Sequence, residues 1–186
     1  MTRIVAGAAR GRRIAVPAGQ GTRPTSDRVR EALFSALESQ LGAFAGLRVL
    51  DLYAGSGALG LEALSRGASH VLLVESDQRA VLTIRSNLAA VGLPGGQVVA
   101  TSVERALAAP PVEPYDLVLA DPPYALSTNE LGPVLARLTS GWLRPAALVV
   151  VERSVRATPV DWPEGLAGLR ERRYGDTMLW YGRPAG

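Results

Sequence analysis

The chain of 186 residues contains no cysteine, which excludes disulfide bonds, iron–sulfur clusters, cysteine-based zinc sites and a thiol nucleophile. Its single histidine, His70, excludes a metal site or an acid–base centre that needs several histidines. No apolar run approaches the roughly 20 residues that a membrane-spanning helix requires. The first residues also lack the apolar stretch of a secretory signal. We therefore expect a cytoplasmic protein that does not enter a membrane.

Lysine is absent as well, and all 20 basic residues are arginine. Residues 1–30 carry seven arginines and one acid, a net charge of +6, whereas the rest of the chain carries 13 arginines and 16 acids, a net charge of −3. A basic end of this kind is typical of a surface that binds nucleic-acid phosphate. The alternative is a basic arm that is only solvated.

Hydrophobic residues make up 47% of the chain and charged residues 20%, as in a single globular domain with a sizeable core. Extended segments at residues 4–7 and 13–16 flank Arg10 and Gly11, which predicts a hairpin with an arginine at its tip. A loop from Pro17 to Pro24 follows. Thr25 or Ser26 then caps a helix whose apolar positions repeat at helical spacing.

From residue 47 onward, apolar strands alternate with helices. The predicted strands lie at residues 48–53, 71–74, 98–100, 117–120 and 147–152. Their nearly continuous Val and Leu content indicates parallel strands that are buried on both faces. Residues 169–174 and 177–181 flank Gly175-Asp176 and predict an antiparallel hairpin. The sequence therefore predicts an α/β domain at residues 23–186, preceded by a small basic β-hairpin extension at residues 1–22.

A glycine-rich turn joins the first long strand to its helix. Gly55, Gly57 and Gly60 fit the pattern G-x-G-x-x-G, in which glycine lets the backbone approach a ligand and the helix N-terminus offers unpaired N–H groups. Glu75 ends the next strand, where an acid binds the ribose hydroxyls of an adenosine ligand. Together they indicate an adenosine-type cofactor. The alternatives are a structural strand-to-helix turn and, for Glu75, a cap of the following helix.

A second motif, Asp121-Pro122-Pro123-Tyr124, ends the fourth strand of the α/β pattern. Two prolines make a rigid turn that presents two acceptors, the Asp121 carboxylate and the Pro122 carbonyl, beside an aromatic ring. The exocyclic amine of a nucleobase is a poor nucleophile because its lone pair is delocalised into the ring. Two acceptors can hold its hydrogens and aim the nitrogen at an electrophile, while Tyr124 stacks on the base. The alternative is a proline-rich loop that only closes a strand.

These motifs resemble a known family. Residues 51–57, Asp-Leu-Tyr-Ala-Gly-Ser-Gly, resemble the first motif of class I S-adenosylmethionine-dependent methyltransferases, and residues 121–124 resemble the catalytic motif of their amino-methylating branch. Residues 23–34 and 173–177 narrow the resemblance to the bacterial small-subunit rRNA guanine-N2 methyltransferases of the RsmD type. The resemblance extends over nearly the whole chain.

The resemblance implies a Rossmann-like fold with a mainly parallel sheet, S-adenosylmethionine as cofactor and no metal. It implies methyl transfer to N2 of a guanine, guanine 966 of 16S rRNA. The partner would be naked rRNA or an assembling small subunit, and the enzyme would be a monomer. Since N2 is paired in a duplex, the guanine must be unpaired or flipped out.

The resemblance also assigns residues to roles. Asp121, Pro122, Pro123 and Tyr124 would form the catalytic turn, and Arg3, Arg10, Arg12 and Arg13 would bind the rRNA backbone. The residues that would surround the cofactor are Thr25, Arg28, Asp51, Tyr53, Gly55, Ser56, Gly57, Glu75, Ser102 and Val103. Among them, Arg28 would pair either with the cofactor carboxylate or with RNA phosphate. His70 is expected to cap or pack.

Three other functions compete with this interpretation. A DNA amino-methyltransferase would use the same turn, but no separate DNA-recognition domain is evident. A nicotinamide oxidoreductase would explain the glycines and Glu75 but gives no role to residues 121–124. An RNA-binding module without activity would bind RNA and transfer no methyl group, and the intact site residues argue against it.

Overall fold

The computed structural model describes residues 1–18 and 25–186. The predicted boundary between residues 22 and 23, most of the predicted loop up to Pro24, and Arg23 lie outside the described residues. The strands are β1 (Thr2–Arg3), β2 (Arg13–Ile14), β3 (Arg48–Leu52), β4 (His70–Glu75), β5 (Gly96–Ala100), β6 (Tyr115–Ala120), β7 (Leu143–Ser154), β8 (Leu166–Tyr174) and β9 (Thr177–Pro184). The helices are α1 (Asp27–Leu41), α2 (Ala58–Ser65), α3 (Gln78–Val91), α4 (Val103–Ala106) and α5 (Thr128–Leu138).

Seven strands form one twisted sheet in the order β5-β4-β3-β6-β7-β9-β8. The strands from β5 to β7 are parallel, and β9 and β8 add an antiparallel edge, which confirms the predicted fold class. Leu52 of β3 pairs with Val74 of β4 on one side and with Ala120 of β6 on the other, so these strands end together. The chain order reverses between β3 and β6, where α/β sheets of this kind bind ligands in a crevice.

The sheet is covered on both faces, which explains its apolar strands. On one face, Leu33 of α1, Leu61 of α2 and Ile84 of α3 belong to one buried cluster. On the other face, Val103 of α4 and Leu131 of α5 belong to a second cluster. The periodic apolar positions of the predicted helices thus face the sheet, each buried leucine contributing about 1.5–3 kcal/mol.

Local capping residues set the helix ends. Ser26 accepts a hydrogen bond from the Val29 N–H at the start of α1, and Asp77 accepts one from Ala80 at the start of α3. Gly92 ends α3 with a φ of 66°, a conformation that glycine adopts readily. The sequence pattern does not predict α4, because a helix of four residues is too short to show periodicity. None of the helices in the described ranges is long and apolar enough to cross a membrane.

The N-terminal hairpin is present, but its paired strands are only two residues each and the first ends before the predicted segment begins. Side chains of the helices beneath it accept hydrogen bonds from backbone N–H groups that a longer hairpin would pair between its own strands. Glu62 accepts the N–H groups of Val5 and Ala6, and Asn87 accepts that of Ala15. The hairpin is therefore anchored to α2 and α3 rather than projecting as a free arm.

The C-terminal hairpin turns at Gly175, whose φ is 59°, and it is longer than predicted. Residues 155–168, which the sequence patterns do not assign to any element, bring Trp162 against this hairpin. A Cβ added to Gly168 would lie 2.8 Å from the Trp162 ring nitrogen, and one added to Gly182 would lie 2.6 Å from the ring carbons. Glycine at these two positions therefore makes room for the indole.

Candidate active site

Two cavities open at the carboxyl ends of the parallel strands. The larger, of about 460 Å³, lies over β3, β4 and β6 at the point where the chain order reverses. The smaller, of about 240 Å³, lies over the ends of β6 and β7 beside the β8–β9 turn. Asp121 and Tyr124 line both cavities, whereas Pro122 lines only the smaller and Pro123 only the larger. The predicted catalytic turn thus separates two ligand-sized spaces.

Six of the predicted cofactor residues line the larger cavity: Thr25, Asp51, Tyr53, Gly55, Ser56 and Glu75. The other four lie elsewhere. Arg28 is exposed on α1. Gly57 is the N-cap of α2, and a Cβ added to it would lie 3.1 Å from the Leu73 side chain. Ser102 caps α4 by accepting from the Arg105 N–H at 3.3 Å, and Val103 is buried in the core.

The loop after β3 has an unusual backbone, with φ values of 57° at Tyr53, 58° at Gly55 and 80° at Gly57. Positive φ costs glycine little, but for Tyr53 it is a strained conformation that the surrounding structure must hold. Such strain concentrates at functional sites. The glycines at residues 55 and 57 are therefore required by the turn itself, in addition to any approach of a ligand.

Glu75 fastens this loop to the next strand. One carboxylate oxygen, Oε2, accepts the Gly55 N–H at 2.8 Å, and the other, Oε1, accepts the Asp77 N–H at 2.9 Å. Each oxygen keeps lone-pair capacity for a further donor. Glu75 thus supports the start of α3, as the alternative interpretation of Glu75 as a helix cap predicted. It also presents acceptors to the larger cavity.

Asp51 is the most buried acid of the larger cavity, at 1% exposed. Its Oδ2 accepts the Gly60 N–H at 2.9 Å. Burial raises the pKa of Asp51 to about 8, and the nearby charge of Glu75 adds to the rise. A carboxyl in this position favours a ligand that brings a positive charge, because such a charge would offset the loss of hydration.

The smaller cavity contains an acid that the sequence analysis did not assign to the site, Glu152. Ala120 and Val151 are register partners in β6 and β7, so Asp121 and Glu152, which follow them, lie side by side. The Thr25 hydroxyl donates to Oε2 of Glu152 at 2.7 Å. Burial raises the pKa of Asp121 well above its ordinary value, and the charges of Glu152 and Asp51 raise it further. In the sequence, Glu152 ends the apolar run at residues 147–152 just as Glu75 ends the run of β4, and that pattern could have identified it.

Tyr124 lies between the cavities with 71% of its surface exposed, as a stacking platform for a base requires. The loop that follows is held by Arg153, whose guanidinium donates to the Leu126 carbonyl at 2.8 Å. No group of three or more metal-ligating side chains occurs within residues 1–18 and 25–186.

The four predicted RNA-binding arginines differ in their surroundings. Arg10 and Arg13 are exposed, and Arg3 is exposed with its guanidinium 3.4 Å from Asp27. Arg12 donates to the Ala90 carbonyl at 2.9 Å and to the Val91 carbonyl, so it caps the C-terminus of α3. The hairpin therefore presents at least two arginines that are not engaged in its own anchoring.

Comparison with known proteins identifies relatives that match most of the chain. The family model described as conserved hypothetical protein 95 matches residues 2–183. Ribosomal RNA small subunit methyltransferase D of Escherichia coli strain K12 is 38% identical over 164 residues, which cover 86% of this chain and 80% of that protein. The protein of the same name from Haemophilus influenzae is 36% identical over 176 residues, covering 93% and 89%.

A solved structure, that of yhhF from Escherichia coli, superposes with a TM-score of 0.82 at 35% identity and covers 98% of this chain and 97% of that one. The matches to the family model and to these relatives extend over most of the chain. The chain therefore belongs to the conserved hypothetical protein 95 family, the RsmD family of methyltransferases.

Proposed function

We propose that the protein transfers a methyl group from S-adenosylmethionine to the N2 amine of a guanine in small-subunit rRNA. The observation that carries this proposal is the position of Asp121-Pro122-Pro123-Tyr124 between two cavities. A methyl donor in the larger cavity and a base in the smaller one would meet at this turn. The names of the relatives, ribosomal RNA small subunit methyltransferase D, support the choice of RNA, and guanine 966 of 16S rRNA is the position that the resemblance implies.

The residues of the larger cavity fit S-adenosylmethionine. Asp51 offers a buried carboxyl to the cationic amine of the methionine part, and Glu75 offers acceptors to the two ribose hydroxyls. The turn around Gly55 and Ser56, just before α2, lines the cavity, so its backbone would lie near the bound S-adenosylmethionine. When bound, S-adenosylmethionine supplies the methyl group as an electrophile on a positively charged sulfur.

The catalytic turn would hold the guanine amine in the orientation that methyl transfer requires. Asp121 and the Pro122 carbonyl would accept the two amine hydrogens, which turns the nitrogen lone pair toward the larger cavity. The nitrogen would form a bond to the methyl carbon that S-adenosylmethionine supplies, S-adenosylhomocysteine would leave, and the nitrogen would lose one proton. Asp121, whose pKa is raised by burial and neighbouring acids, is placed to accept that proton. Positioning of this kind supplies up to about 7–11 kcal/mol of the barrier in ideal cases.

The exposed arginines of the N-terminal hairpin would bind the rRNA backbone beside this site. Val16 and Pro17, which follow the hairpin, line the larger cavity, so the chain leads from the hairpin directly to that cavity. A flipped or loop guanine could then enter the smaller cavity while its flanking phosphates contact the hairpin.

The proposal is tested with methyl-labelled S-adenosylmethionine and three substrates: small subunits that lack their own methylation, naked small-subunit RNA and duplex DNA. Digestion to nucleosides then identifies the labelled base. We expect label in N2-methylguanosine from one of the RNA substrates and none from DNA. Label in DNA alone would identify a DNA amino-methyltransferase, and cofactor binding without label in any substrate would contradict the proposed activity.

A further inference from the structure

We propose that Glu152 selects guanine by accepting a hydrogen bond from N1–H of the target base. The inference rests on the proposed function, because it assigns base recognition to the same site. It adds a specificity-determining residue to that site.

The position of Glu152 suits contact with a base that Asp121 holds. The side chain lines the smaller cavity on β7, next to Asp121 at the end of β6, and is only 9% exposed. A base stacked on Tyr124 with its amine at Asp121 would present the atoms next to that amine to the neighbouring strand, where Glu152 lies. The two acids therefore face adjacent atoms of one base edge.

The hydrogen bonding of the pair leaves acceptors for a ligand. Thr25 donates to Oε2 of Glu152. Among the described residues, no donor hydrogen-bonds the other oxygen of Glu152 or the carboxylate of Asp121. Burying a carboxylate without hydrogen-bond donors around it costs free energy, because the carboxylate loses its bonds to water. A ligand that brings donors reduces that cost. An ionised carboxylate accepts hydrogen bonds and donates none.

Guanine is the base whose edge matches two adjacent acceptors. Its N1–H and its N2 amine are neighbouring donors, so Glu152 can take the first while Asp121 takes the second. In adenine and in cytosine the ring nitrogen next to the amine is an acceptor, which would face the Glu152 carboxylate and repel it. The amine-binding turn by itself accepts all three bases, and Glu152 supplies the discrimination.

Thr25 acts on this contact as a positioning residue. Its hydroxyl reaches Glu152 from the segment just before α1, and it also lines the larger cavity. Burial raises the pKa of Glu152, and the hydrogen bond from Thr25 opposes that rise and holds the carboxylate in one orientation. A fixed acceptor discriminates between bases better than a mobile one, because it cannot turn away from the wrong edge.

The test compares RNA substrates that differ only at the methylated position, which carries guanine or 2-aminopurine. 2-Aminopurine keeps the amine at C2 but has an acceptor at N1. For the wild type we expect kcat/KM to favour guanine by on the order of 100-fold or more, since sites built to bind an N–H reject analogues that lack it. In Glu152→Gln the amide can donate to the N1 acceptor, and we expect the preference to fall to about 10-fold or less. Glu31→Gln on the exposed face of α1 is the matched control.

The ratio of the two substrates within one variant does not depend on the folded fraction, so partial unfolding cannot imitate the effect. Thr25→Val provides a second variant that keeps the carboxylate and should also lower the preference. An unchanged guanine preference in Glu152→Gln and in Thr25→Val would overturn the assignment of Glu152 while leaving the methyl transfer intact. Failure of the wild type to methylate guanine in any RNA would instead overturn the proposed function.

Discussion

Arg30 and Glu62 form a fully buried ion pair beneath the N-terminal hairpin, with 3.5 Å between the arginine Nε and the glutamate Oε2. The same carboxylate accepts the N–H groups of Val5 and Ala6 at 2.9 and 3.0 Å. Arg30 in turn donates to the Arg3 carbonyl and to Asp27. One acid on α2 thereby joins the hairpin to α1 and fixes the basic surface relative to the larger cavity.

Removing this acid should destabilise the whole fold. Glu62→Ala removes the buried negative charge next to the Arg30 Nε and the acceptor of two backbone N–H groups, and we expect a loss of about 3–5 kcal/mol in unfolding free energy. Urea denaturation followed by circular dichroism measures it. Glu38→Ala, which removes the partly exposed partner of Arg66, is the control and should cost about 0–1 kcal/mol. Equal losses in the two variants would show that the buried pair has no special role.

The arginines at the hairpin tip should set the salt dependence of RNA binding. In Arg10→Gln/Arg13→Gln we expect the slope of log affinity against log salt to become less steep by about 1.4–1.8, because each lost phosphate contact changes it by about 0.7–0.9. Filter binding at several salt concentrations measures the slope. Arg144→Gln, at the opposite end of the sheet where Arg144 pairs with Asp116, should leave it unchanged. Deleting the hairpin is a poorer test, since Ile4 and Ile14 belong to the core.

The stability of the unliganded protein should fall between weakly acidic and weakly alkaline pH. The pKa of Asp51 is about 8 in the folded protein, above the ordinary value of 3.8, so the folded state holds a proton that the unfolded state has released. The resulting stabilisation is complete below about pH 4 and is lost as pH rises through about 8. Asp51→Asn keeps an acceptor for the Gly60 N–H and removes the ionisation.

Melting temperatures from pH 5 to 9 measure the effect. We expect a smaller decline in Asp51→Asn than in the wild type, while Asp161→Asn, at an exposed position, should follow the wild type. Parallel curves for the wild type and Asp51→Asn would mean that Asp51 is ionised in the folded protein at all these pH values.

Tyr124 should affect turnover without affecting folding. Its ring is largely exposed, so Tyr124→Ala should leave the melting temperature unchanged within about 1–2 °C. Loss of base stacking should lower kcat/KM on RNA by about 10- to 100-fold, the equivalent of about 1–3 kcal/mol. Tyr124→Phe, which keeps the ring, should retain activity close to that of the wild type. Activity lost equally in both variants would assign the role to the hydroxyl instead of the ring.

The features that the sequence predicted are those that depend on residues close together in the chain. Ser26 caps α1 and the glycine-rich turn follows β3, because each depends on backbone conformation within a few positions. The parallel sheet follows from buried apolar strands that alternate with helices. The position of residues 121–124 between two cavities then results from the register of β6 with its neighbours.

The features that the sequence did not predict depend on contacts between distant residues. The Thr25–Glu152 hydrogen bond joins positions 127 residues apart, and Arg30 and Glu62 meet only after α1 and α2 pack together. The sequence does not distinguish Arg12 from Arg10, but Arg12 caps α3 because the hairpin folds back over that helix. Charge counting identifies a basic surface but cannot separate its structural members from its exposed ones.

The role of Asp121 at the junction of the two cavities is the central claim, and Asp121→Asn tests it most directly. Isothermal titration gives the Kd for S-adenosylmethionine, and single-turnover transfer of labelled methyl to the RNA substrate gives the rate. We expect a Kd within about 3-fold of the wild type and a rate lower by about 100-fold or more, since Asn keeps an acceptor but cannot take the proton. An Asp121→Asn rate equal to that of the wild type would contradict the account.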